Sequence, residues 1–200
     1  MSDDRPADET RGDDAEWPAS LSGVTESVVT TLGPNGLWNA AALGLHAGEP
    51  VTARTWGNTR TRRNFHREGE GYVQFVDDPV AVADAALSIV ECEDPVLESA
   101  TAWVRVTVEQ LDAGTDGETD WEEWALRPVE SAVVRETIPT IDRGFGAVVE
   151  ATVAASRLEV ADYDEAELRD RLAWCAEIVE RAGGPREREA LERVREHSAW

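Results

Sequence analysis

The chain has 200 residues and a net charge of −22, since 41 acidic residues outnumber 19 basic ones, and every basic residue is arginine. A surface this acidic repels DNA, RNA and anionic membranes at long range, so we expect neither nucleic acid nor a membrane as a partner. With 42% hydrophobic residues the chain can form a packed core, and no stretch approaches the ~20 consecutive apolar residues of a membrane span.

The acidic residues are spread along the whole chain, as in proteins from halophiles that accumulate salt. High salt screens the repulsion among them, because the Debye length falls to ~3 Å at 1 M. We therefore predict halophilic adaptation, the alternative being an ordinary acidic protein with an acidic tail. The polar start of the chain lacks the basic and apolar regions of a signal peptide, which predicts a cytoplasmic protein.

Residues 1–18 are rich in Asp, Glu, Pro and Gly without periodicity, which predicts a disordered acidic leader. Beyond them, β-branched or alternating runs predict six strands, at residues 25–32, 37–45, 50–56, 71–76, 102–111 and 121–134. Glycine-rich turns are predicted at 33–36 and 113–120. A helix is predicted over 80–90, with Asp78 as its cap and Pro79 in its first turn.

Six strands joined by short hairpins and one helix predict a small antiparallel barrel over residues 19–138. After Pro139 the apolar pattern becomes helical, with helices predicted at 146–158, 164–182 and 186–197. Buried stripes are predicted from these residues: Val149, Val153 and the alanines of residues 146–158, Leu168, Leu172, Ile178, Val179, Leu191 and Val194. The predicted fold is mainly β with α, a six-stranded split barrel followed by a helical subdomain over residues 139–200.

The two cysteines, Cys92 and Cys175, form no CxxC pair, and the three histidines are scattered along the chain. Zinc sites need clustered ligands of these types, so no metal site is predicted.

The clearest anomaly lies between Arg54 and Arg67, where five arginines fall within 14 positions that contain no acidic residue. We call Arg54, Arg60, Arg62, Arg63 and Arg67 the arginine cluster. Arginine binds phosphate through planar, two-pronged hydrogen bonds, so the cluster predicts a site for an anion. The alternative is that these arginines pair with carboxylates elsewhere on the surface.

Neutral donors interleave with the arginines at Thr55, Asn58, Thr59 and Thr61. If a helix opens near Thr59, the free N–H groups of its first turn add to the anion site. On such a helix Arg60 and Arg63 share a face, while Arg62 points elsewhere.

The preceding hairpin carries small and polar residues, namely Thr30, Thr31, Asn39 and the run Ala40–Ala42. Small side chains let a flat ring approach the backbone, and Thr and Asn can bond its polar edge. Alanine runs also serve packing, so a ligand site and a packed hairpin both stay open.

Together these residues resemble the FMN-binding split-barrel class that includes the flavin reductases, and within it a little-characterised archaeal family of small FMN-binding proteins. The resemblance rests on Thr30-Thr31, Gly36-x-x-Asn39-Ala-Ala41, Asn58-Thr59-Arg60-Thr61-x-x-Asn64 and Asp77-Asp78-Pro79. The stretch from Asp142 through Leu158, with Gly183-Gly184, is similar to that family's helical tail.

The resemblance implies a Greek-key barrel that forms a homodimer and binds FMN at the subunit interface. It implies that the isoalloxazine ring lies along Thr30, Thr31, Asn39, Ala40 and Ala41. It implies phosphate contacts from Thr59, Arg60 and Thr61, with Asn64 close by and with Arg54 and Trp56 on the strand leading in. The family more often has Gly-Ser where this chain has Asn58-Thr59, and Thr59 keeps the hydroxyl.

Three functions stay open at this point. The first is an FMN-dependent oxidoreductase of the flavin-reductase type, in which the flavin supplies the chemistry and no catalytic side chain is assigned. The second is a non-catalytic FMN-binding or electron-carrier protein, which would lack an open apolar space for a second substrate. The third is an interaction protein that docks an acidic partner through the arginine cluster, but that role needs neither the interleaved Thr and Asn nor the small-residue hairpin.

Overall fold

The computed structural model describes residues 15–200 of the chain. The strands in this range are β1 (Val24–Leu32), β2 (Trp38–His46), β3 (Val51–Trp56), β4 (Glu70–Val76), β5 (Val90–Cys92), β6 (Ala100–Asp116) and β7 (Thr119–Val133). The helices are α1 (Arg60–Glu68), α2 (Pro79–Leu87), α3 (Arg143–Ala155), α4 (Glu165–Ala182) and α5 (Pro185–Glu196). Within residues 15–200, no helix combines the length and the apolar character that crossing a membrane requires.

Six antiparallel strands close into a barrel in the order β1-β4-β6-β7-β3-β2, because β1 pairs with both β4 and β2. The short strand β5 extends the sheet beyond β2. Successive side chains alternate between the two faces of a strand, and the inward set includes the fully buried Val29, Leu45, Val73, Val104 and Val106. The predicted fold class, a six-stranded barrel followed by helices, is confirmed.

Helices α3, α4 and α5 form a second hydrophobic core, which is distinct from the interior of the barrel. Helix α2 joins the two parts, because its Val80 and Ala83 belong to the helical core while its Ala85 packs with Ala40 of β2. Of the predicted inward residues, those of α4 and α5 are all buried: Leu168, Leu172, Ile178, Val179, Leu191 and Val194.

Three local predictions are wrong. The helix predicted to reach residue 90 ends at Leu87, where the Ser88 hydroxyl donates to the Asp84 carbonyl at 2.8 Å and the chain turns into β5. In the stripe predicted over residues 146–158, Val149 and Val153 are only half-buried, although its alanines are buried. Helix α3 begins earlier than predicted, at a cap formed by Asp142, and instead turns Val148 towards the core.

The turn predicted over residues 113–120 is shorter in the structure and lies between Asp116, where β6 ends, and Thr119, where β7 begins. Gly117 makes the turn with a positive φ of 58°. Gly114 leaves room for Trp121, whose ring would lie 2.7 Å from a Cβ at that position. The polar, glycine-rich composition of these residues suggested a loop. Polar and exposed residues can nevertheless form a hydrogen-bonded ladder, as they do here.

The leader predicted for residues 1–18 lies mostly outside the described residues. Near its end, Trp17 packs against the barrel core together with Leu21. The division into a barrel over 19–138 and a helical subdomain over 139–200 stays a prediction.

Candidate functional site

Helix α1 carries four arginines of the cluster and begins where Thr59 caps it. The Thr59 hydroxyl accepts a hydrogen bond from the Arg62 N–H at 3.3 Å, and Gly69 ends the helix with a φ of 69°. Phe65 and Thr61 are buried, and Phe65 packs into the barrel core. A second face of the helix, with the spacing i, i+3, i+4 and i+7, consists of Arg60, Arg63, Asn64 and Arg67.

A cleft of about 500 Å³ lies between this second face of α1 and the turn that joins β1 to β2. It is lined by Gly33, Pro34, Asn35, Asn39, Arg60, Arg63, Asn64, Arg67 and Glu91. Small-molecule sites typically measure roughly 300–1,000 Å³, so the volume suits a small ligand. Three arginines face one carboxylate here, and we call this concavity the cationic cleft.

The three arginines of the cationic cleft differ in how far they are already neutralised. Arg60 Nη1 lies 2.6 Å from Glu91 Oε1, and Arg67 Nε lies 2.6 Å from Glu68 Oε1. Arg63 donates only to the carbonyl and side-chain oxygens of Asn58, at 2.7 and 3.1 Å. Among the described residues Arg63 has no carboxylate within ion-pair distance, which leaves its charge available to an anion.

Two amide side chains at the floor of the cleft are held by the barrel. Asn64 Nδ2 donates to the Thr31 hydroxyl at 2.9 Å and to the Thr31 carbonyl at 3.3 Å, and all of these groups are buried. Asn39 of β2 is also buried, at 5% exposure. The Asn64 Nδ2 group is thus already occupied by Thr31, and Asn39 is the better suited of the two to fix the polar part of a ligand, since buried amides rarely stay without partners.

The opposite side of α1 is fastened to the barrel by a buried carboxylate. Glu122 of β7 forms an ion pair with Arg62, whose Nη2 lies 2.6 Å from one carboxylate oxygen, and the other oxygen lies 2.8 Å from His66 Nε2. His66 also packs edge-on against Trp124, with 4.9 Å between the ring centroids. Arg62 therefore helps to hold α1 against the barrel and does not face the cationic cleft.

Arg54 and Trp56 lie on β3, outside the cationic cleft. Their neighbours Ala53 and Thr55 are buried while they are exposed, as the alternation of a strand requires. Arg54 pairs with Glu123 at 3.2 Å and stacks over the Trp121 ring at 4.5 Å.

A second cleft, of about 480 Å³, lies on the other face of the β2–β5 ladder. Asn39 pairs with Glu91 and Ala40 with Val90, so the first pair points into the cationic cleft and the second pair into this one. Among the described residues, its lining combines six apolar residues with three carboxylates and a serine, and it contains no arginine: Ala40, Asp78, Val80, Ala81, Asp84, Ala85, Val90, Leu97, Glu98 and Ser99. We call it the apolar cleft.

Cys92, at the end of β5, donates to the Trp38 carbonyl at 3.4 Å. Burial, and then the charge of Asp94, raises the pKa of the Cys92 thiol, so it stays protonated at neutral pH and is a poor nucleophile. Within the described part of the chain, no group of His, Cys, Asp and Glu is arranged to hold a metal ion.

The structure brings together some of the residues predicted for the site. Asn39, Arg60 and Asn64 line the cationic cleft, Thr31 holds Asn64, and Thr59 caps the helix. The others lie elsewhere: Thr30 bonds to Gln74 and to the Pro95 carbonyl, Ala40 lines the apolar cleft, Ala41 packs on the barrel core, Thr61 is buried, and Arg54 and Trp56 lie on β3. The assignment of these residues to a cofactor stays a prediction.

Six lining residues of the cationic cleft were not assigned to the cofactor from the sequence, although Arg63 and Arg67 belong to the arginine cluster predicted to bind an anion: Gly33, Pro34, Asn35, Arg63, Arg67 and Glu91. A signal for two of them was present, since Arg63 and Arg67 follow Arg60 at the i+3 and i+7 positions of a helix. The residues of the β1–β2 turn line the cleft because this turn lies against α1. Glu91 lines it because of β5, a strand that the sequence did not predict.

Two family models match this chain. The N-terminal domain of a family described as proteins of unknown function (DUF447) matches residues 25–135, and the second DUF447 model matches residues 142–196. The fold is similar to that of an FMN-bound protein from Methanosarcina mazei of the same family model, with a TM-score of 0.73 and 24% identity. That alignment covers 89% of this chain and 96% of the other, and at this identity it shows a shared fold.

More distant likenesses link the barrel to two other proteins. One is the styrene monooxygenase flavin reductase from Pseudomonas putida S12, with 14% identity and a TM-score of 0.41 over 60% of this chain and 96% of that one. The other is an FMN-binding protein from Thermus thermophilus, with 16% identity and a TM-score of 0.38 over 68% and 82% of the two chains. TM-scores this low support no inference about the present chain.

Proposed function

The chain belongs to the DUF447 family of proteins of unknown function, and we propose that it is a flavoprotein that binds FMN with the phosphate in the cationic cleft. The observation that carries this proposal is the convergence of Arg60, Arg63 and Arg67 on one concavity in a chain of net charge −22. The FMN-bound state of the family member from Methanosarcina mazei supports FMN as the phosphate-bearing ligand.

The residues of the cationic cleft match the chemistry of a phosphate group. Each arginine offers charge-assisted hydrogen bonds, and bonds of this kind contribute about 1.5–3 kcal/mol each. The first N–H groups of α1 have no partner within the helix, so they add donors beside Arg60. Asn35 and Asn39 supply neutral donors for the hydroxyl groups that a flavin nucleotide carries next to its phosphate.

We extend the proposal to an oxidoreductase of the flavin-reductase type. Bound FMN would supply hydride and electron transfer, and the chain would position the ring and exclude competing reactions. The apolar cleft supports a reductase over a carrier, because it offers about 480 Å³ for a second reactant on the other face of β2 and β5. A non-catalytic electron carrier would need no such space.

The partner-docking alternative is less well supported. Arg54, Arg60, Arg62 and Arg67 already pair with carboxylates of the same chain, so little free charge is left for an acidic protein surface. The remaining free cation, Arg63, points into a concavity, which suits a small anion better than a flat surface.

We also propose that the chain acts as a homodimer. Exposed apolar side chains gather at the end of β7 and in the segment that follows it: Val129, Val133, Val134, Ile138 and Ile141. A second copy is a suitable cover for such a surface, and it could bring its own β3 residues Arg54 and Trp56 towards a flavin. Light scattering on the protein in molar salt would measure twice the mass of the 21.9 kDa chain.

An absorption spectrum of the protein purified in molar salt tests the proposed cofactor. We expect flavin bands and, on denaturation, release of FMN; a colourless protein that also ignores added FMN would refute the proposal. Anaerobic addition of NADH or NADPH then tests turnover. Bleaching of the bands supports a reductase, whereas bleaching by dithionite alone supports the electron carrier.

A further inference from the structure

Among the described residues that line the cationic cleft, Glu91 is the one acidic residue. Its Oε1 atom accepts a hydrogen bond from Arg60 Nη1 at 2.6 Å and a second one from Asn35 Nδ2 at 3.2 Å. The Glu91 side chain is 29% exposed, so it lies at the open side of the cleft. A carboxylate oxygen thus already occupies donors that a phosphate oxygen could use.

Carboxylate and phosphate oxygens accept from arginine in the same geometry. Both cannot take the same Arg60 donor, and two anions in one small cleft also repel each other. A phosphate that takes this donor has to displace the Glu91 carboxylate, and one that uses the remaining donors of Arg60, or Arg63 and Arg67, binds beside a fixed negative charge. Either way, the presence of Glu91 weakens the binding of phosphate.

The strand that carries Glu91 is short and lies at the edge of the sheet. β5 consists of Val90, Glu91 and Cys92, and among the described strands it pairs with β2 alone. Ile89, directly before it, is 68% exposed. Few contacts therefore oppose a shift of this strand or a new rotamer of Glu91, since regions with few buried contacts open at low free-energy cost.

We propose that Glu91 is an internal anion that holds Arg60 in the ligand-free cleft and competes with the phosphate of the ligand. It thereby sets how strongly the protein prefers FMN over riboflavin, which has the same ring and side chain without the phosphate. This proposal rests on the proposed function, because it names the residue that tunes phosphate recognition in the same cleft.

The test compares the dissociation constants of FMN and riboflavin, measured from flavin fluorescence in molar salt, for the wild type and Glu91→Gln. Glutamine keeps the size of the side chain and removes its charge. We expect FMN to bind about tenfold more tightly to the variant, since one charged competitor for Arg60 is gone. Riboflavin should bind the variant and the wild type equally well.

Glu70→Gln is the matched control. Glu70 pairs with Arg105 at 3.3 Å and is 40% exposed, so this variant makes the same change in net charge and loses an ion pair outside the arginine cluster. It should leave both flavin affinities unchanged. Equal or weaker FMN binding by Glu91→Gln would overturn the proposal, and so would an equal gain for riboflavin, since that gain would not depend on the phosphate.

Inorganic phosphate separates this proposal from the proposed function. If neither flavin binds the wild type, the proposed function fails, but competition for the cleft can still be measured. Phosphate, at constant ionic strength against chloride, should then raise the melting temperature of Glu91→Gln by more than it raises that of the wild type. Equal shifts would show that Glu91 does not compete with phosphate.

Discussion

The barrel and the helical segment use arginine in different ways. Residues 139–200 hold nine arginines among 14 acidic residues, and many of the pairs are local, such as Arg169 with Glu165 at 2.8 Å and Arg193 with Glu196 at 3.1 Å. Residues 19–138 hold eight arginines among 20 acidic residues, and five of those eight belong to the arginine cluster. Pairs between neighbouring turns of one helix stabilise that helix slightly, whereas three arginines of the cluster, Arg60, Arg63 and Arg67, converge on a cleft.

The arginine cluster, which contains no acidic residue in the sequence, is partly neutralised in the structure. Arg54 and Arg60 find their carboxylates 69 and 31 positions away along the chain. Arg62 likewise gains a distant partner, Glu122, while Arg67 pairs with the adjacent Glu68. One of the distant carboxylates, Glu91, lines the cleft itself. Clustering in the sequence therefore indicates where the site lies, while the charge left for a ligand depends on contacts between distant residues.

The largest effect that we predict comes from removing two arginines of the cationic cleft. Arg60→Ala with Arg63→Ala should weaken FMN binding by about a hundredfold, because each lost charge-assisted bond is worth at least ~1.4 kcal/mol. Titration of flavin fluorescence measures the change.

The double variant Arg169→Ala with Arg181→Ala removes an equal number of positive charges, but from α4, and serves as the control. Both of these arginines pair within their own helix, with Glu165 and Glu177. The control should bind FMN as the wild type does. A similar loss in both double variants would mean that net charge, and not the cleft, governs the affinity.

Much of the site was readable from the sequence because it follows one helix. Once α1 is assigned, the spacing of Arg60, Arg63, Asn64 and Arg67 places them on one face, and the alternation along β3 places Arg54 outward with Trp56. The contacts of Thr30 were not readable, because it donates to the Pro95 carbonyl 65 positions away. Glu91 was also hidden, since a strand as short as β5 has no periodicity to recognise.

A second prediction concerns the helical segment, where the close approach of two glycines brings the N-terminus of α3 against the α4–α5 junction. A Cβ at Gly144 would lie 2.7 Å from the Gly183 Cα, and a backbone atom cannot move aside as a flexible side chain can. Gly144→Ala should therefore lower the free energy of unfolding by about 2–3 kcal/mol. Urea denaturation measures it.

Gly146→Ala, in the same helix, is the matched control, because no atom lies within 4 Å of its added Cβ. It should raise stability by roughly 0.5–1 kcal/mol through helix propensity. Neither variant should change FMN affinity at temperatures where the protein is folded. A loss of FMN binding in folded Gly144→Ala would place part of the site in the helical segment.

A third prediction follows from the excess of acidic residues, which is larger in the barrel than in the helical segment. Raising sodium chloride from 0.1 M to 1 M should raise the melting temperature by about 5 °C, or roughly 2 kcal/mol, as screening weakens the repulsion. Differential scanning calorimetry measures it. A flat or falling melting temperature would contradict halophilic adaptation.

The smallest effect that we predict separates two neighbouring carboxylates on β7, each paired with an arginine of the cluster. Glu122 is 6% exposed and contacts both Arg62 and His66, whereas Glu123 is 26% exposed and pairs with Arg54, itself 40% exposed. Glu122→Gln should cost about 1.5 kcal/mol, because the half-buried Arg62 loses its buried counter-charge. Glu123→Gln should cost at most ~0.5 kcal/mol, as exposed pairs do.

Urea denaturation of these two variants tests whether the back of α1 is structural. The pair that Glu122 makes lies across the helix from the cationic cleft, so its loss should act on the position of α1 and not on the charge that a phosphate meets. In Glu122→Gln the hydrogen exchange of α1 amides should therefore speed up while that of α4 stays constant. Equal costs in the two variants would mean that burial does not distinguish these pairs, and that α1 is held by Phe65 and the barrel core instead.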